Sequence, residues 1–89
     1  MIPQAPAGAS YEGGDGSSIE HAIIIRGASE STGIHAEYAW LGFKFPGHRL
    51  GAQVLYHRGG KSYDAIEFLT ADGKPTKVYF DISDFYGKD

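Results

Sequence analysis

The 89-residue chain contains no cysteine, so disulfide staples and thiolate metal sites are both excluded and its stability has to come from packing. It has no apolar run approaching the roughly 20 residues that a membrane-spanning helix needs. Positive charge is also scarce: eight Lys and Arg stand against eleven Asp and Glu, a formal net charge of −3. The basic residues are scattered rather than striped, which leaves no platform for the counterion release that drives nucleic-acid binding. No GxSxG turn is present. The histidines at 21, 35, 48 and 57 form no i, i+4 pair and no close spacing with acids of the kind metal sites use. No metal or other cofactor is therefore expected. The opening MIPQAPAGAS has neither a basic n-region nor an apolar h-region, so the chain as given reads as cytoplasmic; a periplasmic or secreted chain whose signal had been cut away would read the same.

What is present fits one small domain. At this length only about two thirds of the unfolded chain's surface can be buried, and a single sheet covered by one helix is the natural solution. Residues 1–17 are rich in Pro, Gly and Ser, with Ile2 and Tyr11 as their large apolar side chains, and read as a flexible lead to a domain spanning 18–89. On that reading a chain begun at Ser18 keeps essentially the full stability. Within the lead, YEGGDGSS has the composition of an anion cradle. It precedes a strand rather than a helix, however, and carries Asp15, so it reads as a turn leading into the domain.

Ala22–Ile25 is apolar at successive positions, as suits a strand inside the sheet. Ser31 or Thr32 can then cap a helix whose core stripe is Ile34, Tyr38, Leu41 and Phe45, ended by Pro46 and Gly47. The remainder reads as a three-stranded meander with two-residue loops at Gly59–Gly60 and Asp72–Gly73. The predicted fold is thus α+β, one helix on a four-stranded mostly antiparallel sheet in the order βαβββ. Pairing outward from the two loops puts Leu50, Ala52, Val54, Tyr56, Tyr63, Ala65, Leu69, Val78, Phe80 and Ile82 under the helix, with Glu67 as the dissenter. The same register puts Leu55, Ile66, Phe68 and Tyr79 outside. With Trp40, off the helix stripe, they form a surplus apolar surface suited to a protein partner or a homodimer.

The outer face also collects His57, Asp64, Asp81 and Ser83, with Asp64 and Asp81 opposed across neighbouring strands. Two close carboxylates push one pKa up, the arrangement a small hydrolase or a metal-dependent enzyme would use, whereas partners such as Lys61 or Lys77 would make the same acids structural. A single layer of sheet offers little depth for a pocket, and the primary expectation is a non-catalytic binding or interaction domain rather than an enzyme.

The segments GGDGSSIEHAIII, AEYAWL and KVYFDISDFYGK resemble a family of small bacterial α+β domains. The resemblance covers most of the chain after residue 11 and implies a compact α+β domain. It carries over no catalytic or binding residue.

Overall fold

Six elements follow one another in the computed structural model, which describes residues 8–87. They are β1 (Ser10–Gly13), β2 (Ile23–Arg26), α1 (Glu30–Lys44), β3 (Arg49–Arg58), β4 (Lys61–Leu69) and β5 (Pro75–Asp81). The strands form one sheet in the order β1-β2-β5-β4-β3. The β2–β5 pair is parallel and the others are antiparallel. The sheet is therefore five-stranded and mixed, where the sequence suggested four strands. The added strand, β1, comes from the stretch read as a lead. Residues 1–7 of that stretch lie outside the described residues.

A tyrosine anchors β1. Tyr11 packs against the core, and its hydroxyl donates to the Ala36 carbonyl of α1 at 2.6 Å, joining the edge of the sheet to the helix. The glycine-rich loop that follows is also fastened. Tyr79 N donates to Gly16 O at 2.8 Å, and Gly16 N to His21 O at 2.7 Å. Gly16 is buried where a Cβ would stand 2.6 Å from Val78 and 2.9 Å from Ile23, so no larger residue fits there. Asp15 accepts from the Ser17 amide at 3.0 Å and its hydroxyl at 2.7 Å, a local turn that holds its carboxyl below the usual range and uses up the groups an anion cradle would need. β2, apolar at three successive positions, lies inside the sheet between β1 and β5, with Ile23 and Ile25 buried beneath the helix.

α1 is capped at Ser29, two or three residues before the Ser31 or Thr32 expected. The Ser29 hydroxyl accepts from Thr32 N at 3.3 Å, while Thr32 Oγ1 accepts from Ser29 N at 2.8 Å. The buried face is Gly33, Ala36, Glu37, Trp40 and Leu41; Ile34 and Tyr38, placed in the core by the sequence, are exposed. The small residues explain this rotation. Gly33 presents only backbone to the Phe85 ring, which sits 2.5 Å from where a Cβ would be, so the C-terminal turn fills the space a larger helix residue would have taken. Trp40, expected at the surface, packs edge-on against Phe80 with ring centroids 5.8 Å apart.

The Gly59–Gly60 hairpin has the expected pairing, Tyr56 with Tyr63 and Val54 with Ala65, both glycines taking the positive φ of such a loop. Farther along, Gly51 and Ala52 together oppose Glu67, a bulge that shifts the register by one. The second hairpin departs from expectation. Thr70 N bonds Lys74 O and leaves a three-residue loop, Ala71–Gly73, closed by Gly73 at φ 88°. One extra loop residue moves every β4–β5 pair by one, so Asp64 meets Phe80, Ile66 meets Val78 and Glu67 meets Lys77. Such a slip exchanges the faces of a strand. Ile66 and Phe68, placed outside by the sequence, therefore join Val78, Phe80 and Ile82 under α1. Tyr63 and Ala65 go to the opposite face with Glu67, whose carboxylate pairs with Lys77 across the strands at 3.6 Å.

Candidate functional site

The same slip separates the two acids that the sequence brought together. Asp64 pairs with Phe80 and lies on the helix side, whereas Asp81 pairs with Tyr63 and lies on the other. Asp81 is buried but satisfied: its Oδ1 accepts from Ser83 N at 3.0 Å, and Lys61 Nζ stands 3.7 Å from its Oδ2. The remaining polar residues gather near Ser62 without converging on one point. The Ser62 hydroxyl is 3.1 Å from His57 Nδ1, and the Ser83 hydroxyl accepts from the Ser62 amide at 2.9 Å. Among the described residues no acid bonds His57, so no Ser-His-Asp relay is formed. Nor does any group of three or more His, Asp or Glu capable of holding a metal ion occur among them.

Asp64 has a different companion. Glu37, on the buried face of α1, is 0% exposed and lies beside Asp64, itself only 6% exposed. As two carboxylates the pair cannot bond, and neither Glu37 oxygen then has a partner. A proton resolves the conflict by making Glu37 a donor to Asp64. The Glu37 carboxyl is pushed up to about 10, first by burial, then by that hydrogen bond and by the negative charge of Asp64. Two further groups extend the pair to the surface. Gln53 Nε2 donates to Asp64 Oδ2 at 3.0 Å, and the Tyr38 hydroxyl donates to Gln53 Oε1 at 3.3 Å. Asp64 and Gln53 also border a cleft of about 430 Å³ between α1 and the β3–β4 pair, walled by Ile34, Leu55 and Phe85. A buried acid coupled to a neighbour through one proton was not legible while the helix stripe was set on Ile34 and Tyr38. The signal available was the run Gly33, Ala36 and Trp40, two small residues and a tryptophan on the face that Glu37 shares.

The second feature is the edge of the sheet. β3 is ten residues long and among the described residues bonds only β4, which leaves its other side without a strand partner there, and Leu50 and Leu55 are exposed by 52% and 41%. Its first residues form one wall of a groove of about 630 Å³ that also takes in Leu69, Pro75 and Lys77. Of the apolar surface expected from the sequence, Leu55 is thus exposed. Tyr79 is half-buried on the face away from the helix, its ring 6.2 Å from Tyr56, and Trp40, Ile66 and Phe68 are core. No helix among the described residues is long and apolar enough to cross a membrane. Comparison with models of protein families, with curated proteins and with solved structures finds no match for this chain.

Proposed function

We propose that the chain is a non-catalytic interaction domain that takes an extended segment of a partner protein onto the free edge of β3. The observation that carries this reading is the edge itself: ten residues with one side unpaired among the described residues, bearing exposed leucines where edge strands ordinarily bear charge or proline. Strand addition supplies main-chain hydrogen bonds for affinity and side-chain contacts for selectivity. The bulge at Gly51–Ala52 interrupts the ladder, so regular main-chain pairing covers Gln53–Arg58, and the docked segment continues past the bulge along the groove beside Leu50 to Arg49.

Charge favours a foreign partner over a second copy. β3 carries no acid and has an arginine at each end, Arg49 and Arg58. Antiparallel self-pairing about its centre would set these arginines against one another, and like charges directly opposed are destabilising. The complementary segment has apolar or β-branched residues in its middle and an acid at each end. The test is a peptide of about eight residues, alternating Val and Thr between two glutamates, titrated into the full chain. Binding at or below about 1 mM, weakened by Leu55→Asp and by exchanging the glutamates for lysines, is the expected result. Equal binding of the acidic and basic peptides removes the charge argument. If neither peptide binds and the chain sediments as a dimer, the edge serves self-association instead.

A further inference from the structure

We propose that the cleft between α1 and the β3–β4 pair binds an ammonium group carried on an apolar stem, with Asp64 as its counter-ion. This site is argued from observations other than the β3 edge and stands or falls separately. The polar lining of the cleft is Glu30, Gln53, Asp64 and the Tyr86 side chain, and among the described residues no Lys, Arg or His borders it. The acid–base pairings among the described residues are made elsewhere: Glu12 with Arg26, Glu20 with Arg58, Glu67 with Lys77 and Asp81 with Lys61. The contrast between the buried acids is the informative one. Asp81 has a lysine, while Asp64 and the fully buried Glu37 beside it have no cation among the described residues. A buried carboxylate without a positive partner is costly, so a cation entering from outside meets a charge that no described residue compensates.

The stoichiometry follows from the proton. With Glu37 neutral, the pair carries one negative charge, which matches one ammonium rather than a divalent metal, and no three-ligand metal cluster occurs among the described residues. The walls select the stem. Ile34, Leu55 and Phe85 line a space of about 430 Å³, enough for an alkyl chain or a ring but poor for a hydrated ion. An alkylammonium can come from a free amine or from a lysine side chain on a partner, and both present the same group to Asp64.

The experiment uses the full chain with its Ile and Leu methyls labelled, and n-hexylammonium as the probe. Hexanol and hexanoate share its stem but not its charge. In a second arm, a short peptide with one central lysine is compared with the same peptide carrying norleucine. Shifts of Ile34, Leu55 and the Gln53 side-chain amide are expected with hexylammonium and not with hexanol or hexanoate. Asp64→Asn should weaken binding by about ten- to a hundredfold, whereas Glu37→Gln, which leaves the single charge in place, should keep it. Should Asp64→Asn fail to fold, the rim variant Glu30→Gln serves in its place, with a loss of about twofold expected. Preference for the lysine peptide together with silence from hexylammonium assigns the site to a protein-borne lysine. Equal shifts from hexanol, displacement of the amine by Mg²⁺ or Ca²⁺, or no response to any ammonium would overturn the proposal.

Discussion

Glu37→Gln exchanges a carboxyl for an amide of nearly the same shape at a site with no exposure to water. In the folded chain Glu37 keeps its proton up to about pH 10, while in the unfolded chain it titrates near the ordinary 4.5. At pH 7 the native state therefore holds a proton that the unfolded state has released. Each pH unit of that gap costs about 1.4 kcal/mol, and from 4.5 to 7 the sum is about 3 kcal/mol. Glutamine is neutral at every pH and can donate its amide to Asp64, so it avoids the cost. The variant should be the more stable at pH 7 by up to about 3 kcal/mol, a large fraction of the 5–15 kcal/mol typical of a domain. Because the folded pKa is raised, the contribution of Glu37 is fully present below about pH 4.5 and is lost as pH rises towards 10. Urea denaturation between about pH 5 and 9 measures this. The wild-type chain should lose about 1.4 kcal/mol per unit from this group, the variant should lack that slope, and the two should converge near pH 4.5. A wild-type stability that is flat over this range, or a variant less stable than wild type at pH 7, would mean that Glu37 is ionised and solvated and that the acid pair is misassigned.

The two helix glycines separate propensity from packing. Gly42→Ala, at an exposed position with nothing within 4 Å of a new Cβ, should raise stability by about 0.5–1 kcal/mol. Gly33→Ala should lower it by about 1–3 kcal/mol, because its methyl would meet the Phe85 ring; thermal melts of both variants decide the matter. Tyr11→Phe removes the hydroxyl bonded to Ala36 and should cost about 1 kcal/mol in chemical denaturation. A chain begun at Ser18 loses β1 and the Gly16–Tyr79 bond as well, so its midpoint should fall by more than that of Tyr11→Phe, where the sequence by itself suggested no loss.

The Gly59–Gly60 hairpin was legible because two adjacent glycines leave little choice of loop. The β4–β5 pairing was not. ADGK fits a two-residue loop as well as it fits the three-residue loop ended by Gly73, and that single residue decides which face of β4 meets the helix. Two clues favoured the true register. It places Glu67 opposite Lys77, and it puts the larger Ile66 and Phe68 inside while the small Ala65 goes to the other face. The helix was found but turned, since Ile34, Tyr38, Leu41 and Phe45 make a better apolar stripe than the face with Gly33, Ala36 and Glu37 that is buried. Composition does not reveal that Phe85 returns from the C-terminus to fill the space above Gly33. That rotation hid the acid pair. Asp64 was identified as a site candidate for its opposition to Asp81, and its companion is Glu37 from the helix. β1 escaped notice because a four-residue strand held by one tyrosine leaves little periodic trace.

The central claim is that the free edge of β3 is a docking strand, and amide exchange measured along the chain with and without the acidic-ended peptide addresses it most directly. Slowed exchange confined to amides of Gln53–Arg58, absent in Leu55→Asp, is the expected result. Protection spread over β1 or the outer face of the sheet, or unchanged exchange on β3 while the peptide is bound, would contradict it.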